Sequence, residues 1–216
     1  MTSIIDTCIS RSMIGQQRME NLDKLANDCI QTGKTGAFVE AGVWKGGAVS
    51  YLAYLAKQEN KQRKVFALDS FEGLPKPDSN DVEASSGKAA LDYFDKEKNV
   101  FSDWCSAGEY ELYKSLELVS CTPQDIHIKK GFFENTLPGW NEPIALLRCD
   151  ADWYSSTKCI LDAMYDFVIP GGYIIFDDYG WWKGCKKAVD EFLETRDLDV
   201  VLHKTDITEV WFQKPM

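Results

Sequence analysis

Ile144-Ala-Leu-Leu-Arg-Cys-Asp150-Ala-Asp-Trp-Tyr154 and Tyr173-Ile-Ile-Phe-Asp-Asp178 are the two stretches whose reading decides the fold. Each begins as a short apolar run rich in branched residues and ends in acids. Between them lies a helix-like segment that starts near the cap candidates Ser155-Ser-Thr157 and stops at Pro170. This is a strand, helix, strand unit. The same grammar recurs upstream, where Ala37-Phe-Val-Glu40 runs through a glycine turn into the helical Ala48–Ala56, and Val65-Phe-Ala-Leu68 follows. Strands alternating with helices predict an α/β fold: an open, mostly parallel sheet with helices on both faces. Gly184 to Arg196 reads as an amphipathic helix. Val200–His203 and Glu209–Gln213 are joined by a link too short for a parallel crossover, so they close the chain as an antiparallel hairpin.

Outward from this core, residues 1–32 read as a helical N-terminal cover. Residues 76–118 are too long for a plain connection and read as a lid-like insertion or a pair of surface helices. No second-domain boundary interrupts residues 1–216, which are expected to form one domain. The chain has 216 residues, 44% of them hydrophobic, enough for a core without staples. A formal net charge of -10 argues against a nucleic-acid partner. Seven scattered cysteines without a C-x-x-C pair, and two histidines, argue against a zinc site or a disulfide scaffold. With neither a signal-peptide pattern nor a membrane-length apolar run, a reduced cytoplasmic setting is the expectation.

The chemistry is written at the strand ends. Glu40-Ala-Gly42-Val-Trp-Lys-Gly46-Gly47 lacks the G-x-G-x-x-G spacing of a dinucleotide site and the Gly-Lys-Ser/Thr of a P-loop. Gly33-Lys34-Thr35 imitates a P-loop ending, but Asp28 stands where glycine is required. Asp69, just past the next strand, sits where an acid of an α/β nucleotide fold accepts ribose hydroxyls. Glu40 ends the first strand, and Asp150 or Asp152, and Asp177 or Asp178, end two further strands. Carboxyl ends of strands form the ligand crevice, so these acids converge on one edge, where a hard divalent cation would offset their repulsion. The competing reading has them capping helices and pairing with Lys158, Lys183 or Lys186. His127 and His203 lie inside strands and read as structural. Trp153, Trp181 and Trp182 read as crevice walls or core, and the cysteines, Cys149 and Cys159 especially, as small core residues.

These residues also carry a family likeness. The chain resembles the macrocin and mycinamicin-type sugar O-methyltransferases, the TylF family of class I S-adenosylmethionine-dependent enzymes. The blocks are Arg11-Ser-Met-Ile-Gly15, Val39–Gly47, Asp69-Ser-Phe-Glu-Gly-Leu-Pro75, Gly131-Phe-Phe-Glu-Asn-Thr-Leu-Pro138, Asp150–Thr157, and Asp177-Asp-Tyr-Gly180 with Gly184–Phe192. The resemblance implies a Rossmann-like seven-stranded sheet. It implies that Glu40, Gly42, Gly46 and Gly47 hold the methionine part of S-adenosylmethionine, that Asp69 holds the ribose beside Ser70 and Phe71, and that Gly131 and Phe132 lie near adenine. It further implies Mg2+ on Asp150, Asp177 and Asp178. Asp150 and Asp152 lie two apart, so extended backbone would point both to one side; which ligates metal and which takes the acceptor proton stays open. The implied acceptor is a small hydroxylated, sugar-bearing molecule. The helical N-terminal segment has two readings, a cover over its own active site or a packing surface for a second copy in a homodimer. The rivals are a metal-dependent hydrolase or phosphoryl-transfer enzyme using the same acids, and a cofactor-binding module without turnover.

Overall fold

The structure, a computed structural model, describes residues 3–59, 62–94 and 105–216. Its strands are β1 (Ala37–Ala41), β2 (Val65–Asp69), β3 (His127–Lys130), β4 (Ile144–Cys149), β5 (Val168–Phe176), β6 (His203–Lys204) and β7 (Val210–Gln213). They form one sheet in the order β3-β2-β1-β4-β5-β7-β6. The first five run parallel, and β7 pairs antiparallel with both β5 and β6. The helices are α1 (Ile4–Ile9), α2 (Gln16–Gln31), α3 (Gly47–Gln58), α4 (Glu109–Leu118), α5 (Phe133–Thr136), α6 (Tyr154–Met164) and α7 (Lys183–Thr195).

Alternation along the strands builds the core in two layers. Phe38, Ala67, Leu146 and Ile175 face the side covered by α1 to α4, where Met19, Leu22, Leu52 and Leu112 are buried. Val39, Leu68, Leu147 and Ile174 face the other side, with Ile160 and Leu161 of α6 and Val189 and Phe192 of α7. Burial on both faces is why β1 and β4 read as continuous apolar runs. No helix among the described residues is long and apolar enough to cross a membrane.

Several boundaries differ from the sequence reading. The helix after the Ser-Ser-Thr stretch ends at Met164, not Pro170, and β5 already starts at Val168. Pairing with β4 jumps from Ile144↔Val168 to Leu146↔Tyr173, so Pro170-Gly171-Gly172 forms a bulge inside the strand rather than its boundary. The strand expected over Val200–His203 shrinks to His203–Lys204, paired with Trp211 and Val210, because Val200 and Leu202 pack on the core instead of extending the strand. The N-terminal segment is two helices. Within 76–118, Val82 bridges Ala89, Ala90–Asp92 make a 3-10 turn, and α4 packs on α3, while Phe101 and Trp104 lie outside the described residues.

The strand order reverses between β1 and β4, which places the crevice at their carboxyl ends. There the Asp150 amide donates to the Ala41 carbonyl at 2.8 Å and the Gly42 amide to the Leu68 carbonyl at 2.8 Å.

Candidate active site

A cleft enclosing about 600 Å³ out to its mouth opens at this point, walled by Gly42, Trp44, Asp69, Ser70, Gly131, Phe132, Asp150 and Asp152 among others. Gly42 (φ 88°) is required twice: its backbone is left-handed, and a Cβ would overlap the Asp150 carbonyl oxygen. Gly46 and Gly47 line no part of this cleft; Gly46 lies against Leu112 of α4, and Gly47 against Ser12 and Cys8 of the N-terminal segment.

Asp69 builds the turn that shapes the cleft. One carboxylate oxygen accepts the Val43 and Trp44 amides at 2.7 and 3.0 Å, and the other accepts the Phe71 amide at 2.7 Å. Three of roughly four acceptor directions are thereby used. Burial pushes its pKa up against these three donors. Ser70 spends its hydroxyl on the Gly73 carbonyl at 2.8 Å, and Phe71 is buried in the core. Gly131 and Phe132 lie on the cleft wall after β3.

Beside the cleft the acids gather around a cation that the sequence reading passed over. Arg148, buried in β4, donates to Glu40 and Asp150 at 2.7 Å each and to Asp177. A charged residue inside an otherwise apolar strand demands partners on burial, and that was the available signal. Arg18 of α2 reaches the other Asp177 oxygen at 2.6 Å. Glu40 is buried and pushed up to about 8 by desolvation, against the pull of Arg148, and its Oε2 has no hydrogen-bond partner among the described residues. Asp177 and Asp178 are both raised, chiefly by burial and then by neighbouring carboxylates. Asp152 is raised for the same reasons.

Asp150, Asp177 and Asp178 bring ligand atoms within 4.8 Å of one another, the one such group of acids, histidines or cysteines among the described residues. Seven acids, Glu40, Asp150, Asp152, Asp177, Asp178, Asp206 and Glu209, gather around only two guanidiniums, those of Arg18 and Arg148. Hard oxygen donors with uncompensated negative charge fit a divalent cation such as Mg2+. Asp152 departs from the expected extended geometry: its φ of 56° turns the backbone, and its carboxylate accepts the Trp182 indole N–H at 3.0 Å. Its own amide donates to Asp178 at 3.1 Å.

A second residue unseen in the sequence is Asp81. No serine or threonine caps α6, whose N-cap is Trp153. The cap comes instead from the 76–118 segment, where buried Asp81 accepts the Tyr154 amide at 2.8 Å, directly after the acidic loop. Trp153 and Trp182 pack edge to face at 4.9 Å in a small core with Ala90 and Cys185, while Trp181 is exposed. Cys105 lines the cleft rather than the core, Cys159 is half-buried, and all seven cysteines are free. His127 stacks on Phe66 and His203 on Trp211. Lys34 of the P-loop look-alike precedes β1, at the opposite end of the strands, and pairs with Asp28.

The family model for macrocin-O-methyltransferase (TylF) matches residues 6–214. The chain belongs to this family. It is accordingly an S-adenosylmethionine-dependent O-methyltransferase, which decides against the hydrolase and phosphoryl-transfer rivals. It is 32% identical over 207 residues to the demethyldecarbamoylnovobiocin O-methyltransferase of Streptomyces niveus, covering 95% of this chain and 76% of that one. It is 28% identical to the 8-demethyl-8-(2,3-dimethoxy-alpha-L-rhamnosyl)-tetracenomycin-C 4'-O-methyltransferase of Streptomyces olivaceus, with 95% and 76% coverage. The solved structure of the O-methyltransferase NovP superposes with a TM-score of 0.83 at 29% identity, covering 95% of this chain and 83% of NovP. The open, mostly parallel α/β sheet expected from the strand pattern is observed, in the seven-stranded form that the family resemblance implies.

Proposed function

We propose that this TylF-family enzyme methylates a hydroxyl of a sugar or similar small polyhydroxylated acceptor, with S-adenosylmethionine in the cleft beside Gly42 and Mg2+ on Asp150, Asp177 and Asp178. The observation that carries the reading is that two unlike features share Asp150: it walls the cleft and belongs to the acidic triad. The rhamnosyl acceptor in the printed name of the S. olivaceus relative supports a sugar hydroxyl.

When bound, the cofactor supplies an activated sulfonium methyl group and Mg2+ a Lewis acid that makes the acceptor hydroxyl more acidic. The protein's part is to hold these pieces and take one proton. Gly42, Gly131 and Phe132 shape the cleft, and Asp69 keeps its turn in place with about one acceptor direction left for a ribose hydroxyl. Glu40 Oε2, buried without a partner among the described residues, is the acid available to a cofactor ammonium group. Asp150 serves as a metal ligand, and Asp152 accepts the hydroxyl proton. The Trp182 N–H occupies Asp152 Oδ1, which leaves Oδ2 to receive the proton. Burial, the main cause of its raised pKa, makes Asp152 a better base than an exposed carboxylate.

Calorimetric titration with S-adenosylhomocysteine, S-adenosylmethionine, NAD and ATP, each with and without Mg2+, tests the cofactor assignment. A screen of glycosides and nucleotide sugars with methyl-labelled cofactor tests the acceptor class. Binding of NAD or ATP in preference to the two adenosyl compounds would overturn the reading.

A further inference from the structure

Asp177 is held from both sides. Arg148 takes one carboxylate oxygen and Arg18 takes the other at 2.6 Å. The two cations are not equivalent. The Arg148 side chain is 1% exposed and fixed by Glu40 and Asp150 as well. The Arg18 side chain is 17% exposed, comes from α2 outside the sheet, and has a second home, with Nε on Asp206 at 2.7 Å and another N–H on Thr208.

Orientation of Asp177 does not need Arg18. The Asp177 amide is tied to the Cys149 carbonyl at 3.0 Å and its carboxylate is already gripped by Arg148. What Arg18 adds is positive charge on a carboxylate that belongs to the acidic triad. Each Asp177 oxygen already accepts a guanidinium N–H, so a metal ligated by Asp177 must take an oxygen that one of the two arginines holds, and the more exposed Arg18 is the one with somewhere else to go. We infer that Arg18 is the resident counter-cation of Asp177 and competes with the divalent metal, so that metal occupancy and the grip of α2 on the sheet edge oppose each other. The inference rests on the metal reading above. On metal binding, Arg18 shifts its weight to Asp206 and Thr208. By reciprocity, whatever loosens Arg18 tightens the metal.

The test is a Mn2+ titration followed by the electron paramagnetic resonance of free Mn2+, which needs neither cofactor nor acceptor. It compares the wild type, Arg18→Lys, Arg18→Met, Asp177→Asn and the double variant Arg18→Met/Asp177→Asn. Arg18→Met should bind Mn2+ on the order of tenfold tighter than wild type, within the usual span of coupled sites. Arg18→Lys, which keeps the charge, should stay close to wild type. Arg18→Met should have no effect in the Asp177→Asn background. A purely structural role predicts equal or weaker binding in Arg18→Met, and that result overturns the inference while leaving the metal site standing. If no variant, wild type included, binds Mn2+, the metal reading fails and takes the inference with it. Should Arg18→Met not fold, the wild type decides: the Arg18 Nε–H resonance, assigned with Arg18→Lys, shifts on Mg2+ saturation, and an unmoved resonance overturns the inference.

Discussion

Removing the guanidinium of Arg148 tests the charge balance of the whole site. Arg148→Met keeps the unbranched stem and deletes three charge-assisted contacts, to Glu40, Asp150 and Asp177. Glu40 and Asp177 are buried, so they lose a partner that water cannot replace. Breaking a buried ion pair from one side costs about 3–5 kcal/mol. For a chain of this size that corresponds to a fall in melting temperature of about 6–20 °C. The sign with pH follows from Glu40, whose folded pKa of about 8 lies above its ordinary 4.5. The folded state therefore holds an extra proton between those values, and the contribution of Glu40 to stability falls as pH rises from about 4.5 to 8. Without Arg148 the folded pKa climbs further, so the fall is deeper and extends to higher pH. Urea unfolding in EDTA at pH 6 and pH 9 should show the variant destabilised at both, and more at pH 9, above the wild-type folded pKa of Glu40. An unfolding free energy within about 1 kcal/mol of wild type at pH 9, or a larger loss at pH 6, would refute the argument.

Three further outcomes are expected. Gly42→Ala places a methyl group on the Asp150 carbonyl and forces a left-handed alanine, so it should lose more than about 4 kcal/mol or fail to fold, as followed by circular dichroism melting. Asp81→Ala removes the cap of α6 and should cost about 1 kcal/mol at pH 7. Because burial pushes Asp81 up to about 6, its contribution falls as pH rises from 3.8 to 6; Asp81→Asn should flatten that part of the stability profile, and an unchanged profile would argue against the raised carboxyl. Asp178→Asn should lower methyl transfer about 100-fold or more while the calorimetric affinity for S-adenosylhomocysteine changes little; loss of both together would move Asp178 from the metal to the cofactor.

Much of the site was legible because its residues sit at strand ends, and strand ends can be read locally. Asp150, Asp177 and Asp178 each follow an apolar run, and parallel strands bring such positions to one edge whatever their separation in the chain. Arg148 stands in plain view within Ile144–Cys149 but reads as part of an apolar run, because two of its three partners, Glu40 and Asp177, come from other strand segments. Asp81 was illegible for a similar reason: it caps a helix 73 residues downstream. The serines and threonine that looked like caps at residues 155–157 turned out to lie inside the first turn of that helix.

By itself the sequence determined the alternation of strands and helices, the glycine turn after β1, the antiparallel closing pair and the set of acids brought to the crevice. These follow from periodicity and from backbone conformations that only certain residues tolerate. Only the tertiary structure decided how the acids are shared out: Asp69 to the amides of its own turn, Asp177 between two arginines, Asp152 to an indole and Glu40 with one oxygen unclaimed. Burial sets that division, because a charge removed from water must find its partner in space, and the partners here come from segments far apart in the chain.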